Sequence, residues 1–264
     1  MIFGILGAGK MGSAIMYGAI KSNIFSKNEI IISEKNEDLA NKYLNEGFKL
    51  ANVLEMFNLS DIVLLSIKPQ QLDDALSCLK EVDLSGKIII TIMAGVSTKK
   101  LSNYLNNVKF VRVMPNTPAL INSGMSAVSF DSLTEEEENL VLSILSGIGE
   151  YQVISESKMN EVIALNGSSP AYVYYFINSF IKYGLDNGFS LEEAKKLVCN
   201  SVIGSAKMIL ESNRDIKDLI KDVCSPGGTT ICGVNVFDER DLDGLVNEAL
   251  EKCVKRAYEL GKDE

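Results

Sequence analysis

The stretch Ile2-Phe3-Gly4-Ile5-Leu6-Gly7-Ala8-Gly9-Lys10-Met11-Gly12 decides the fold. Its apolar first half reads as a short strand, and Ala14, Ile15 and Gly18 carry on beyond it at helical spacing. Between the two lie glycines in the pattern Gly-x-Gly-x-x-Gly. That strand-to-helix turn sets backbone N–H groups and the positive end of a helix against a pyrophosphate, so the context favours dinucleotide binding over a merely tight turn. As a leader peptide the segment fails: no basic region precedes the apolar run, and Lys10 and the glycines interrupt it.

Beyond this turn, short β-branched runs at 30–33, 61–66, 88–93 and 110–114 alternate with amphipathic stretches at 38–45, 70–82 and 98–105. Such alternation predicts right-handed βαβ crossovers and a parallel sheet, an α/β fold of the Rossmann, doubly wound type. Two later runs, 125–130 and 151–154, are expected to extend the sheet. The acidic cluster Glu135 to Glu138 follows Thr134, the pattern of a helix start rather than of a binding site. After about residue 155 the strand signal stops, and Leu191, Ala194, Leu197, Val198 and Val202 mark one face of a helix. Two domains are therefore expected, a nucleotide-binding one over 1–155 and an all-helical one over 156–264, with helices at 159–165, 171–185, 191–210 and 242–260.

The 264 residues are 46% hydrophobic and 23% charged, the balance of a folded globular chain. A net charge of -9 without a basic stripe disfavours nucleic acid as a partner. Histidine is absent, which removes the commonest neutral-pH base and metal ligand, so Ser-His-Asp, Cys-His and zinc-protease chemistry are excluded and no metal is expected. Five cysteines with no Cys-x-x-Cys pair read as reduced intracellular thiols. No stretch reaches the roughly 18 uninterrupted apolar residues of a membrane span, and the cytoplasm is the expected location.

Several turns carry chemistry. Ser33-Glu34-Lys35-Asn36 ends the second strand, and Glu34 stands 22 positions beyond Gly12, near the spacing of a ribose-binding carboxylate. That favours NADH, whereas Ser33 and Lys35 would hold the 2′-phosphate of NADPH if Glu34 turned outward; the tetrapeptide leaves both open. Ser66-Ile67-Lys68-Pro69-Gln70 and Ala94-Gly95-Val96 follow strands where open α/β sheets bind ligands. In Met114-Pro115-Asn116-Thr117-Pro118, two prolines fix the backbone around Asn116 and Thr117 at a strand's carboxyl end. Ser225-Pro226-Gly227-Gly228-Thr229-Thr230 interrupts the helical part with glycines just before another helix. Free N–H groups there suit a carboxylate better than they suit a plain connector.

Taken in order, GAGKMG, SIKPQ, MAGVS, RVMPNTP, ALNGSSPAYVY and VCSPGGTT resemble the pyrroline-5-carboxylate reductase family over essentially the whole chain. RVMPNTP and SPGGTT, about 110 residues apart, are far more specific than the glycine turn. The resemblance implies that Gly7, Gly9, Lys10 and Met11 meet the cofactor pyrophosphate and that Ser33, Glu34, Lys35 and Asn36 surround the adenosine ribose. Asn52, Lys68 and Pro69 would line the same cleft, and Ala94, Gly95, Met114, Asn116 and Thr117 would lie near the nicotinamide. It further implies that Ser225, Gly227, Gly228, Thr229 and Thr230 hold the substrate carboxylate, with Thr230 the donor to the substrate. A homodimer or ring of dimers would complete each site from two chains. Lys10 departs from the family, where asparagine or glutamine is usual, and the segment 211–218 is hard to register, which keeps Glu211 out of the catalytic set.

Reduction of a cyclic imine acid by NADPH or NADH suits a histidine-free site, since a protonated C=N accepts hydride with little acid machinery. Two other readings compete. A β-hydroxyacid-type dehydrogenase normally uses a lysine in its helical domain, yet residues 164–170 contain none. A cofactor-binding sensor without catalysis would have little reason to retain MPNTP and SPGGTT.

Overall fold

The computed structural model describes residues 1–261. Its first part alternates strand and helix: β1 (Phe3–Leu6), α1 (Lys10–Lys21), β2 (Ile30–Ser33), α2 (Glu37–Asn45), β3 (Lys49–Leu50), α3 (Val53–Leu59), β4 (Ile62–Leu65), α4 (Leu72–Leu76), β5 (Ile88–Thr91), α5 (Thr98–Leu101) and β6 (Lys109–Met114). Then come β7 (Gly124–Asp131), α6 (Glu135–Ser146) and β8 (Gly149–Val153). The strands form one sheet in the order β3-β2-β1-β4-β5-β6-β7-β8, parallel except that β7 runs against β6. This is the doubly wound sheet that the alternation predicts.

Strands β1, β2, β4 and β5 are buried along their whole length, which is why they read as unbroken apolar runs rather than as alternating ones. Period two still sorts their side chains. Ile30, Ile32 and Leu64 pack with Ile15, Met16 and Tyr43 of α1 and α2, whereas Ile31, Val63 and Leu65 pack with Met56, Phe57, Leu72 and Leu101 of α3, α4 and α5. Each such side chain contributes about 1.5–3 kcal/mol on burial. Helices thus cover both faces, and the chain changes direction between β1 and β4, where open sheets of this kind bind their ligands. At α6 the Thr134 hydroxyl accepts from the Glu137 N–H while the Glu137 carboxylate accepts from the Thr134 N–H, the helix start expected of that acidic cluster.

Helices α7 (Ser169–Asp186), α8 (Leu191–Glu211), α9 (Ile216–Val223), α10 (Thr229–Glu239) and α11 (Leu242–Gly261) follow. The chain separates into two compact units, Met1–Pro170 joined by the end of α11 from Lys252, and Ala171–Glu251. The sequence places a boundary at 155, and the structure gives the reason the first unit extends further. Buried Arg112 on β6 pairs with Glu156 at 2.7 Å and donates to Asn160 at 3.2 Å, while Met159 and Ile163 pack with Met114 and Ala127. From α11, Ala257 joins that cluster and the Tyr258 hydroxyl donates to Glu161 at 2.6 Å.

Three local expectations differ. No strand is expected at β3, which is only two residues long and too short to show any period. The stretch 70–82 holds the short α4 between 3-10 turns at Pro69–Gln71 and Ser77–Leu79. Instead of a plain helix over 159–165 there is a π-turn at Ile163–Gly167, closed by Ser168 N–H donating to the Ile163 carbonyl at 2.8 Å. π-turns concentrate at functional sites because the extra residue re-aims side chains.

Candidate functional site

At the carboxyl ends of β1, β2 and β4 lies a cleft of about 360 Å³. Gly7, Gly9, Lys10, Met11, Ser33, Glu34, Lys35 and Lys68 line it, together with Ser66, Ile67 and Gln71, which the sequence leaves unassigned or merely within a turn. The three glycines have separate reasons to lack a side chain. Gly7 has φ +85°, and a Cβ there would come within 2.7 Å of the Ser66 carbonyl oxygen. A Cβ on Gly12 would meet the Gly7 carbonyl oxygen at 2.3 Å, so Gly12 lets α1 pack against the turn. Around Gly9 there is nothing within 4 Å: the protein does not need that space, and a ligand can use it.

Gly9 is also the N-cap of α1, and no side chain caps the helix. The first-turn amides, which have no intrahelical acceptor, and the positive helix end therefore face the cleft. Lys10 and Lys68 line it without an ion pair to any described residue, while Lys35 pairs with Asp74. Ala8, wholly buried, is held at both of its peptide groups: its N–H donates to Glu34 Oε2 at 2.8 Å, and its carbonyl accepts from the buried Tyr43 hydroxyl at 2.5 Å. The protein's own hydrogen bonds thus hold the turn.

Other expected residues lie outside this cleft. Asn52 caps α3, its side chain accepting from the Glu55 N–H at 2.9 Å, and Pro69 opens the 3-10 turn after Lys68. Gly95, at φ +77°, sits beneath α11: a Cβ there would meet the Ala257 carbonyl oxygen at 2.4 Å. Ala94 packs at the edge of the Met114 cluster. At the end of β6, Asn116 accepts from the Met125 N–H at 2.9 Å and donates to Asn166 Oδ1 at 3.0 Å, and Thr117 starts a 3-10 turn with its side chain exposed. Asn166 itself, on the π-turn, donates to the carbonyls of Met114 at 2.7 Å and Met125 at 2.9 Å. No carboxamide atom of Asn166 is idle, and the sequence reading missed it.

In the helical unit, Ser225 to Gly228 close a turn through Gly228 N–H donating to the Ser225 carbonyl at 2.9 Å. Gly227 needs its positive φ of +69°, and a Cβ on Gly228 would meet Ser225 Oγ at 2.4 Å. Gly228 is the N-cap of α10, again with no side-chain cap, so the amides that open the helix are available to an anion. Thr229 and Thr230 form its first turn, and Thr230 borders an apolar groove lined by Met208, Ile209, Ile216 and Val234. Among the described residues no group of three or more His, Cys, Asp or Glu is arranged to hold a metal ion.

Residues 156–260 match the model of pyrroline-5-carboxylate reductase dimerisation, and residues 2–95 match that of the NADP oxidoreductase, coenzyme F420-dependent. The curated pyrroline-5-carboxylate reductase of Escherichia coli is 35% identical over 98% of this chain and 98% of its own length; that of Aquifex aeolicus is 36% identical over 98% and 97%. This chain belongs to the pyrroline-5-carboxylate reductase family. Solved structures agree: the reductase of Streptococcus pyogenes superposes with a TM-score of 0.87 at 32% identity, covering 98% of both chains. That of Plasmodium falciparum, with NADP bound, gives 0.87 at 28% identity over 99% and 98%. An NAD(P)H-dependent reductase of this family has in the open space at Gly9, the uncapped start of α1 and the unpaired Lys10 and Lys68 the groups a dinucleotide needs.

Proposed function

We propose that the chain reduces 1-pyrroline-5-carboxylate to L-proline with NAD(P)H, the last step of proline biosynthesis. The observation that carries this reading is the end-to-end similarity to curated reductases, together with an intact SPGGTT turn at an uncapped helix start. When bound, the reduced nicotinamide supplies the hydride. The chain's residues hold and orient. Gly9, Lys10, Met11 and Lys68 take the pyrophosphate, and Ser33 to Asn36 take the adenosine ribose. The turns at Ala94-Gly95 and Met114 to Thr117 border the nicotinamide. Amides from Gly228 onward bind the substrate carboxylate, and the Thr230 hydroxyl hydrogen-bonds the ring nitrogen. A hydroxyl is too weak an acid to be the proton source, so Thr230 orients the imine and the proton comes from water.

In functional terms the division falls near 155, with cofactor binding before it and substrate binding and dimerisation after it. A second copy completes the site. In support, between 171 and 251 only Gly184 and Ala194 are buried, while Tyr172, Tyr174, Tyr175, Phe176, Phe180 and Tyr183 of α7 are all exposed. An apolar surface of that kind is what a homodimer covers, and the dimers assemble further into a ring. Light scattering is expected to give at least twice the 28.9 kDa chain mass, with a urea midpoint that rises with protein concentration. A folded monomer would remove this part of the reading. No helix among the described residues is long and apolar enough to cross a membrane.

The glycine turn offers a paired test. Gly9→Ala meets no neighbour and is expected to cost under about 1 kcal/mol of stability while losing most cofactor affinity, because the methyl takes the ligand's space. Gly12→Ala drives a Cβ into backbone and is expected to cost about 1–3 kcal/mol. Calorimetry and cofactor titration on both variants decide it; equal loss of stability in the two would contradict the separate roles. The reaction is tested by following reduced-cofactor absorbance with 1-pyrroline-5-carboxylate and with a six-membered imine acid. Rapid oxidation with the five-membered acid is expected. Binding of cofactor without oxidation would sink the reductase reading and leave a sensor.

A further inference from the structure

The Ser33 to Asn36 tetrapeptide admits either cofactor by spacing alone, and the choice depends on whether Glu34 can turn away from the cleft. In the structure its carboxylate is pinned at both oxygens: Oε2 accepts from the Ala8 N–H at 2.8 Å and Oε1 from the Asn36 N–H at 2.9 Å. Ala8 is wholly buried and its carbonyl is fixed by Tyr43, so outward rotation of Glu34 would strand a buried N–H that cannot follow it. Glu34 therefore stays in the cleft as a fixed negative charge.

Of the three lysines that line the cleft, Lys10 and Lys68 are the ones proposed to take the pyrophosphate, which leaves Lys35 to offset that charge for a 2′-phosphate. The ammonium of Lys35 is paired with Asp74. The start of α2 is not open to an anion, because Asn36 caps it by accepting from the Leu39 N–H at 2.9 Å and Glu37 and Asp38 occupy its first turn. A ribose with free hydroxyls can donate to the remaining lone pairs of Glu34; a ribose carrying a 2′-phosphate sets a dianion against it.

We propose that Glu34, held by Ala8 and Asn36, makes the cleft select the unphosphorylated ribose, so that this chain prefers NADH to NADPH. The proposal rests on the reductase reading only in taking a dinucleotide as the ligand. It is tested on the purified full-length protein by isothermal titration with ADP-ribose and with its 2′-phosphate, two probes without nicotinamide whose binding does not depend on any imine being reduced. NADH and NADPH are titrated alongside. The unphosphorylated member of each pair is expected to bind at least about tenfold more tightly, and Glu34→Gln, which removes the charge, is expected to narrow that ratio to within about threefold. Equal affinities, or tighter binding of the 2′-phosphate, would overturn the proposal from the wild-type protein alone. So would a Glu34→Gln protein that keeps its fold by circular dichroism and its full discrimination. If neither probe bound while the imine was still reduced, the assignment of the cleft would fall and the reductase reading would stand.

Discussion

Thr230→Ala is expected to lower kcat/KM for 1-pyrroline-5-carboxylate by about ten- to a thousandfold, the range for losing one positioned polar group. The residue sits on the first turn of α10, beside amides that have no intrahelical acceptor, and its groove is otherwise mostly apolar. A hydroxyl in such surroundings has few side-chain competitors for the ring nitrogen. Because the side chain is exposed and packs into no core cluster, the same variant should leave the unfolding transition within about 0.5 kcal/mol, the usual scale for surface substitutions. Thr230→Ser, which keeps the hydroxyl, should recover most of the rate, whereas Thr230→Val, which keeps the shape, should not. The informative readout is steady-state kinetics at saturating cofactor. A wild-type kcat and KM in Thr230→Ala would remove the residue from the reacting centre and leave the carboxylate-binding amides as the helical unit's whole contribution.

How far such a site can be read in advance depends on whether its geometry is local. The glycine turn was legible because Gly7 answers to the turn's own positive φ and Gly12 to the carbonyl of Gly7 just before it, and the fully buried strands were legible because burial on both faces leaves an unbroken apolar run. β3 was not, since a pair of residues has no period. The π-turn at Ile163–Gly167 was not either: one extra residue shifts the phase of a helical pattern too briefly to show against the breaks around Gly167 and Pro170. The sequence boundary near 155 marks the change from strand to helix, but compactness follows long-range ties such as Arg112 to Glu156 and Tyr258 to Glu161, which no local pattern records.

Glu34 falls between these cases. Its spacing from Gly12 was legible, yet the direction of its carboxylate depends on Ala8, 26 residues away in sequence, and on the Tyr43 hydroxyl that holds the same residue from the other side. Asn52 shows the opposite limit. A residue assigned to the cleft by resemblance spends its carboxamide oxygen on a helix start, a role open to any Asn before an apolar helical run.

Asn166 carries the second large effect, on stability. Asn166→Leu is close in volume but withdraws two donors and one acceptor at once. The carbonyls of Met114 and Met125 and the Asn116 amide are then left without the partners they have. Since a buried polar group without a partner costs about 1–3 kcal/mol, the variant should lose on the order of 3 kcal/mol or more, a large share of a marginal fold. Thermal unfolding should fall by about 6–12 °C at a chain of this size. Asn116→Ala removes the acceptor for the Met125 N–H and the donor to Asn166, so it should cost less than Asn166→Leu. The double variant should cost less than the two single ones added, because they share one hydrogen bond. A melting temperature for Asn166→Leu within about 1 °C of wild type would show that water or a shift of the π-turn satisfies these groups. The loss should also reach catalysis even where the fold survives: the clamp ties the π-turn to the ends of β6 and β7, and the turn from Met114 to Thr117 that it fixes is the one proposed to border the nicotinamide, so a displacement of about 1 Å there is enough to lower kcat about a hundredfold.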